Sequence, residues 1–364
     1  MTSEVAVAVL GAGGTIGPAI VRDLADSPEV GELLLLDLDG ERAARVAAEH
    51  GSGRARAAAV DARDGLAAAL DGCRVVVNAA SYRLNLAAME AALEAGCDYL
   101  DLGGLYWMTA RQLALHERFE RAGRLAVLGI GSSPGKTNVM AVRAVRELDG
   151  EEVDEIHVAA AGRDPEADGR LRVPYALRTL LDEITMAPVV LDDGRPRRLV
   201  PLAPGGSVRF PAPIGDAETI HTLHSELRTF GASFGVRRAS FRLALDPRLL
   251  RRLEALRGAA EQEVAAAQAQ AAPPSAHALS AHVVELRSAG GRTVRVSALT
   301  RPMEAWGLGG GVVSTAAPAA AVVRLLARGR IAAAGVHPPE TCIDPDDLLP
   351  ELERRGCSFE VVCG

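Results

Sequence analysis

The sequence predicts an α/β protein with two parts: a doubly wound parallel sheet at the N-terminus, then an α+β domain with a largely antiparallel sheet. Three observations support this. Short apolar runs alternate with amphipathic helical segments over the first 130 residues, a glycine-rich turn follows the first run, and period-two alternation begins after about residue 138. At 364 residues the chain is long enough for two domains.

The N-terminal part is predicted to alternate strand and helix. Its strand segments are continuously apolar, which is typical of a parallel sheet covered by helices on both faces. The expected strands are Val5–Leu10, Leu33–Asp37, Ala57–Asp61, Arg74–Asn78, Asp98–Asp101 and Leu125–Ile130. The expected helices are Ile16–Ala25, Glu41–His50, Gly65–Leu70, Leu86–Ala95 and Arg111–Ala122.

The second part begins with a predicted helix at Asn138–Leu148. The strands expected after it are Glu155–Ala161, Met186–Leu191, Arg198–Pro201, Val208–Phe210, Ser240–Leu245, Leu279–Arg287 and Thr293–Thr300. The last two are joined by a Gly-Gly turn and are predicted to form a hairpin. We also expect a helix and surface loop within Ala259–Pro274, and a final helix at Ala316–Ala327. The predicted domains are 1–135, 136–310, and 311–364 as a C-terminal helix and tail returning toward the first domain.

Composition argues against several classes of function. The formal net charge of −7 disfavours a nucleic-acid partner, which would need a basic surface. We identify no apolar run of about 18 residues and therefore expect no membrane span, and the start of the chain leaves no room for a signal peptide. The five cysteines form no C-x-x-C pair. We expect reduced thiols, no metal site and a cytoplasmic protein.

The run Gly135-Lys136-Thr137 is the tail of a phosphate-binding P-loop. That motif needs its first glycine at position 130, which is Ile130, and it needs backbone N–H groups that Pro134 lacks. The sequence therefore argues against an ATP or GTP site in this loop.

A better nucleotide motif follows the first strand. Gly11, Gly14 and Gly17 form G-x-x-G-x-x-G, and Gly13 adds an overlapping G-x-G. Between a strand and a helix, such glycines allow a tight turn and close approach of a pyrophosphate to the helix N-terminus, as in a Rossmann fold. The predicted cofactor-binding residues of this turn are Gly11, Gly13, Gly14, Thr15, Ile16 and Gly17.

Asp37 ends the second predicted strand, twenty residues after Gly17 (37 − 17). An acid there accepts hydrogen bonds from the adenosine ribose and repels the 2′-phosphate of NADP. Leu38 offers no compensating cation, so we predict NAD, with NADP less favoured. Asp61 and Ala62 are expected near adenine. An empty nucleotide pocket and an S-adenosylmethionine site remain alternatives.

Other polar groups follow the strands at the same sheet edge. In a doubly wound sheet the carboxyl ends of the strands face the ligand. Asn78, Ala79 and Ala80 are therefore predicted to contact the cofactor. Asp101 is predicted to relay protons or hold a substrate amine, and a turn-capping role is its alternative. Further residues predicted to face the substrate are Lys136, as a catalytic group, and Asn138, Tyr106 and Arg83.

The densest ionisable cluster of the second part is Pro213–Thr229, PIGDAETIHTLHSELRT. If this segment is helical, His221 and His224 share one face. We predict that His224 and Glu226 are catalytic and that His221 and Thr222 bind substrate. A solvated helix with capping acids is the alternative, and zinc binding by the His-x-x-His pair is weaker still.

Several segments together resemble the saccharopine dehydrogenase-like family of NAD(P)-dependent amino-acid oxidoreductases. They are VLGAGGTIG, VVVNAASYRLNLAAMEAALEAGCDYLDLGG, IGSSPGKTNVMA and STAAPAAAVVRLLARGRIAAAGVHPPE. Ser133 stands where many members carry Asp before Pro-Gly. The resemblance implies a Rossmann domain that holds the cofactor and an α/β domain that supplies the substrate pocket and a homodimer contact.

The resemblance also implies chemistry on amines, amino acids or imines formed from them. We expect an oxidoreductase that acts on a C–N bond, with a small-molecule amine or amino-acid substrate. Two alternatives stay open. One is a transferase that uses NAD as a bound prosthetic group, as homospermidine synthases do, and the other is a non-catalytic NAD-binding protein.

Overall fold

The structure is a computed structural model that describes residues 4–166 and 170–364. The chain divides into two compact units. Unit 1 comprises Met1–Lys136 and Thr315–Leu352, and unit 2 comprises Thr137–Ser314 and Glu353–Gly364. The domain boundaries expected from the sequence stay a prediction.

Strands and helices alternate in the first third of the chain and are mixed later. The strands are β1 Val5–Leu10, β2 Val30–Asp37, β3 Ala55–Ala59, β4 Val75–Asn78, β5 Asp98–Asp101, β6 Leu125–Val127, β7 Val153–Arg163, β8 Val189–Asp192, β9 Arg195–Arg198, β10 Pro204–Arg209, β11 Asp216–His221, β12 Arg238–Ala244, β13 Leu279–Ser288, β14 Thr293–Thr300, β15 Gly335–His337 and β16 Cys357–Cys363. The α-helices are α1 Gly17–Ala25, α2 Gly40–His50, α3 Leu66–Ala69, α4 Asn85–Ala95, α5 Leu105–Leu113, α6 His116–Arg121, α7 Lys136–Arg146, α8 Leu177–Thr185, α9 Glu226–Phe234, α10 Pro247–Ala255, α11 Glu261–Gln270, α12 Gly310–Ala327 and α13 Pro345–Glu353.

Unit 1 is built on a parallel sheet, which the described residues show as seven strands in the order β15-β6-β5-β4-β1-β2-β3. The strand order reverses between β1 and β4, which makes this the switch point where such sheets bind ligands. One face of the sheet packs a core of Ala, Leu and Val side chains around Tyr99 and Phe119, both fully buried. The predicted doubly wound fold is therefore confirmed.

The helix predicted at Arg111–Ala122 is two helices, and the expectation was wrong. α5 begins six residues earlier, at Leu105, and α6 follows after Ala114 and Leu115. The first two residues of α5, Leu105 and Tyr106, are both buried. Adjacent buried residues do not show the period of an amphipathic helix. The start of this helix was therefore not visible in the sequence pattern.

A buried ion-pair network joins three helices of unit 1. Arg324 on α12 is 2.9 Å from Asp23 on α1 and 3.0 Å from Glu351 on α13. Arg328, the residue that follows α12, is 2.8 Å from both Glu29 and Glu351. Because charged groups are costly to bury unless they are paired, the network fixes how these helices pack.

Replacing Arg324 with methionine is expected to lower the free energy of unfolding by about 3–5 kcal/mol, since it removes the cation that two buried carboxylates contact. Urea denaturation followed by circular dichroism measures this. The matched control is Arg330→Met, because Arg330 pairs with Asp347 at the surface and its side chain is 59% exposed. Equal losses in the two variants would contradict the role of the buried network.

Helix α12 is the one helix in the described residues that is long and apolar enough to cross a membrane, with a mean hydropathy of 1.5 over 18 residues. We expect no apolar run of this length from the sequence, so this helix departs from the expectation. Within the protein 78% of that window is buried, which is also typical of the core helix of a folded domain. Length and composition are therefore weak evidence for a membrane span.

Unit 2 is built on a mixed sheet. Within the described chain it has nine strands, seven in the order β10-β11-β12-β7-β13-β14-β16, with β8 paired to β12 and β9 to β8. The pairs are antiparallel except β12 with β7. The largely antiparallel sheet, the β13–β14 hairpin and the α11 helix are as predicted.

The segment Pro213–Thr229 is not one helix, so the expected helical face shared by its histidines is wrong. Strand β11 comprises Asp216–His221, a four-residue turn follows it, and α9 begins at Glu226. Thr219, Ile220 and Thr222 are β-branched, which favours the observed strand over a helix. His221 therefore lies on a strand, whereas His224 lies in the turn.

Candidate functional site

The glycine-rich turn after β1 packs tightly against the turn after β4. Gly11 has φ +78°, and a Cβ on it would lie 2.6 Å from the Ala80 nitrogen. A Cβ on Gly17, the first residue of α1, would lie 2.5 Å from the Gly11 carbonyl oxygen. Both positions therefore require glycine, and the bare backbone remains open to a ligand at the start of α1.

The other predicted residues of this turn differ in accessibility. The Gly14 N–H donates to the Gly11 carbonyl oxygen at 3.0 Å, and Gly14 itself is exposed. Thr15 is half-buried. Ile16 is 4% exposed and belongs to the core, so only its main chain can face a cofactor.

Asp37 lies at the carboxyl end of β2, beside the glycine turn. Its Oδ2 accepts a hydrogen bond from the Gly13 N–H at 2.9 Å, and its Oδ1 accepts one from the Asp39 N–H at 3.1 Å. Each carboxylate oxygen has a second lone pair. Leu38 next to it is 75% exposed. The carboxylate is thus oriented by the main chain and can still accept hydrogen bonds from hydroxyl groups.

Asp61 and Ala62 follow β3 rather than ending it. Asp61 is exposed and accepts a hydrogen bond from the Arg63 N–H at 2.9 Å. Ala62 is buried in the core of unit 1. Their predicted contact with adenine stays a prediction.

Asn78 holds the turn after β4 with its side chain. Its Oδ1 accepts from the Ala80 N–H at 3.1 Å, and its Nδ2 donates to the Asn85 Oδ1 at 3.0 Å and the Tyr99 hydroxyl at 3.1 Å. These hydrogen bonds are all made within the protein. The backbone of the half-buried Ala79 and Ala80 packs against Gly11.

Asp101 is 1% exposed at the end of β5 and lies at the centre of a hydrogen-bond network. Its Oδ1 accepts from the N–H groups of Gly103 at 2.8 Å and Gly129 at 2.7 Å. Its Oδ2 accepts from Asn85 at 3.1 Å and Gln112 at 2.6 Å. Burial raises the pKa of Asp101, and these hydrogen bonds oppose the increase. The Tyr99 hydroxyl is a further donor to this carboxylate, besides the four N–H groups. The carboxylate is thus engaged within the protein, so this geometry favours a role in positioning the two loops.

Replacing Asp101 with asparagine is expected to lower the free energy of unfolding by about 2–4 kcal/mol. The variant loses charge-assisted hydrogen bonds and turns an amide NH₂ toward N–H donors. Chemical denaturation measures the loss. Asp61→Asn, at an exposed aspartate that also follows a strand, is the matched control. A stable Asp101→Asn protein that has lost all activity would favour the catalytic role instead.

The loop before α7 uses its own N–H groups internally. Gly129 donates to Asp101 as above, Gly131 donates to the Pro134 carbonyl oxygen at 2.9 Å, and Lys136 donates to the Gly131 carbonyl oxygen at 2.9 Å. A Cβ on Gly129 would lie 2.6 Å from Pro134 Cγ. These three N–H groups therefore do not point at a phosphate, which agrees with the argument against a P-loop.

The predicted substrate-facing residues near this edge are buried. Lys136 and Asn138 are each 1% exposed, at the start of α7. Tyr106 on α5 is 6% exposed and makes an edge-to-face contact with Trp107, with ring centroids 4.7 Å apart. A lysine this buried needs polar partners to stay charged. Lys136 is therefore more than a surface lysine, and its catalytic role stays a prediction.

Unit 2 brings His224 and Glu226 together. Glu226 is 1% exposed, and its Oε2 forms a hydrogen bond with the His224 Nδ1. Its Oε1 accepts from the Thr137 hydroxyl at 2.5 Å. The His224 ring stacks on Phe241, with centroids 3.6 Å apart and planes at 13°. The imidazole is thus fixed on one side by a carboxylate and on one face by an aromatic ring.

Sequence reasoning missed two residues of the same cluster. Glu183 on α8 is buried, and its Oε2 accepts from the Tyr175 hydroxyl at 2.6 Å. Burial raises the pKa of Glu183 to about 7, an effect opposed by the nearby His224. α8 carries other charged residues and looks like a solvated helix in sequence. Only its apolar face, Leu180, Leu181 and Ile184, signals burial.

His221 is the last residue of β11, and Thr222 follows it in the turn that leads to this cluster. Burial lowers the pKa of His221, and the charge of Arg242 lowers it further. Thr222 is 1% exposed, and in the described part of the chain its hydroxyl has no hydrogen-bond partner. Their predicted substrate contacts remain predictions. Among the described residues no group of three or more His, Cys, Asp or Glu is arranged to hold a metal ion.

The residues of unit 1 fit a dinucleotide. The glycine turn leaves backbone open at a helix N-terminus for a pyrophosphate, and Asp37 presents an oriented carboxylate to ribose hydroxyls. The glycine turn lies at the switch point of the sheet, and Asp37 lies beside it at the end of the adjacent strand β2. Unit 2 contains the buried His224–Glu226 pair and the Glu183 carboxyl, which has a pKa of about 7.

Comparisons with known proteins agree with this geometry. A carboxyaminopropylagmatine dehydrogenase from Synechocystis sp. is 29% identical over 238 residues, which are 61% of this chain and 58% of the relative. The match thus spans less than two thirds of that relative's length.

Two solved structures have a similar fold. Apo histidine-tagged saccharopine dehydrogenase (L-Glu forming) from Saccharomyces cerevisiae has 14% identity and a TM-score of 0.72, covering 99% of this chain and 100% of that chain. Homospermidine synthase from Legionella pneumophila in complex with NAD has 13% identity and a TM-score of 0.71, covering 100% and 93%. At these identities the likeness shows the fold alone.

Residues 7–127 match the family model described as the saccharopine dehydrogenase NADP binding domain. This range contains β1 to β6, the glycine turn, Asp37 and Asp101. The match supports a nucleotide cofactor and leaves the choice between NAD and NADP open. Residues 7–127 therefore match the saccharopine dehydrogenase NADP binding domain family, and the resemblance that the sequence predicts is confirmed.

Proposed function

We propose that this protein is an NAD-dependent oxidoreductase that acts on the C–N bond of an amine or amino acid. The observation that carries the proposal is the glycine turn at the switch point with Asp37 beside it, within a segment that matches an NADP binding domain. NAD is favoured over NADP because the Asp37 carboxylate would repel a 2′-phosphate.

The relative's name narrows the substrate class. A carboxyaminopropylagmatine dehydrogenase acts on an agmatine that carries a carboxyaminopropyl group. We propose that this chain likewise acts on a secondary amine that carries an amino-acid group, or on the imine that corresponds to it. Oxidation would remove a hydride from the carbon and a proton from the nitrogen and leave a C=N bond, and a bound nicotinamide would supply the hydride acceptor.

The chain's own residues would manage the proton and the substrate. His224 and Glu226 form the buried pair best suited to accept the nitrogen proton. Lys136 is proposed to hold a substrate carboxylate, with Asn138, Tyr106, His221 and Thr222 as further substrate contacts. Asp101 is proposed to position the loops after β5 and β6. We further propose a cytoplasmic homodimer without nucleic-acid partners. Light scattering on the purified protein tests the oligomeric state.

The direct test is NADH absorbance with a panel of amines, diamines, and aldehyde or keto-acid plus amine pairs. Turnover of a secondary amine that carries an amino-acid group, with NAD preferred, is the expected result. Protein that binds NAD but turns over no member of the panel would count against the proposal. Tightly bound NAD that never exchanges, with no net NADH made, would support a transferase instead.

A further inference from the structure

The His224 turn is anchored to α8 at one residue, Glu183. The Glu183 carbonyl oxygen accepts a hydrogen bond from the Leu223 N–H at 3.0 Å, directly before His224. The Glu183 carboxyl accepts from Tyr175, and both His224 and Glu226 lie close enough to influence its charge. Glu183 therefore holds the turn next to His224 through its main chain, and its ionisable side chain lies within electrostatic range of both His224 and Glu226.

The groups that face Glu183 decide when it ionises. Burial is the largest influence and raises its pKa. His224 and the Tyr175 hydroxyl lower it, because a nearby cation and a hydrogen-bond donor favour the carboxylate. Glu226 and Asp182 raise it by like charge. Asp182 is held by Arg178 at 2.5 Å. The balance gives a pKa of about 7, so the carboxyl exchanges its proton near neutral pH.

We propose that Glu183, held by Tyr175, is a positioning residue that controls the charge of the His224–Glu226 pair. When Glu183 is protonated, Glu226 is the carboxylate that His224 contacts. When Glu183 ionises, a second negative charge faces the imidazole and stabilises its protonated form. The kinetic consequence rests on the proposed function: transfer of a proton from a substrate nitrogen would depend on the state of Glu183.

Two conservative variants should move the pH profile differently. In the wild-type protein, kcat/KM is expected to show an inflection near pH 7. Glu183→Gln removes that inflection. Tyr175→Phe shifts it upward by about one pH unit, because the carboxylate loses one hydrogen bond that favours its charged form. Glu155→Gln is the control: Glu155 is a half-buried glutamate of β7 bound to Arg238 at 2.6 Å, and its loss should leave the profile unchanged.

A second measurement needs no turnover. In protein labelled with ¹³C at glutamate carboxyls, the Glu183 signal is identified by its absence in Glu183→Gln. It should titrate near pH 7 and move upward in Tyr175→Phe, and the His224 ring nitrogens should show a step with the same midpoint. That step should disappear in Glu183→Gln.

The outcomes separate this inference from the proposed function. A Glu183 signal that titrates below pH 5, or a His224 step that survives in Glu183→Gln, would overturn the inference even in an active dehydrogenase. The expected NMR result in a protein that oxidises no amine would support the control of His224 by Glu183 and count against the proposed function alone.

Discussion

Replacing Glu226 with glutamine is expected to lower kcat/KM for the amine substrate by about 10²- to 10⁴-fold, the range for losing a positioned acid–base group. The two Glu226 oxygens have separate tasks, since Oε1 accepts from Thr137 and Oε2 binds His224. A glutamine must turn its NH₂ toward one of them. The imidazole then loses both its orientation and its counter-charge, so proton transfer should suffer far more than binding.

Steady-state kinetics on the purified variant measures the effect, with thermal unfolding to verify folding. The matched control is Glu218→Gln, the same substitution on β11 of the same segment, at an exposed side chain. Its kcat/KM should equal that of the wild type. A folded Glu226→Gln enzyme within about threefold of wild-type activity would remove the His224–Glu226 pair from the chemistry, since even weak general acid–base catalysis exceeds that factor.

Replacing Asp37 with alanine is expected to weaken NAD binding by about 10- to 100-fold, because hydrogen bonds from ribose hydroxyls to a charged acceptor are lost. The same change removes the repulsion of a 2′-phosphate, so the preference for NAD over NADP should shrink or invert. Calorimetric titration of both dinucleotides gives the two dissociation constants.

Asp39→Ala is the control for this experiment. Asp39 is the neighbouring exposed aspartate, and its side chain accepts from the Arg42 N–H at 3.1 Å as the N-cap of α2. That variant should keep the wild-type ratio of NAD to NADP affinity. Wild-type protein that prefers NADP, or an Asp37→Ala variant with an unchanged NAD affinity, would contradict the assignment of NAD.

The parallel sheet could be predicted because short stretches of the sequence specify its strands and turns. Strands β1 and β5 match the expected residues, Gly11 stands in the turn after β1, and Asp37 ends β2. β15 was missed because three residues are too short to show a period. α13 and β16 follow the last helix that the sequence predicts and were not predicted.

The candidate site was predicted in part, for a physical reason. His224 and Glu226 stand two residues apart, so a local cluster of ionisable residues pointed to them. Glu183 and Tyr175 join them only through tertiary packing, and the pKa of Glu183 depends on burial that composition does not reveal. For Asp101 the sequence indicated a functional position at a strand end. The N–H donors that bind its carboxylate are evident only in the structure.

The N–H donors around Asp101 also affect how tolerance to substitution in this chain should be interpreted. In a saturation mutagenesis screen, changes at Asn85 and Gln112 should score as severely as changes in the nucleotide turn, although both side chains face inward to one carboxylate. Intolerance to substitution at these two helix positions would therefore report on loop geometry and should not be taken as a sign of ligand contact.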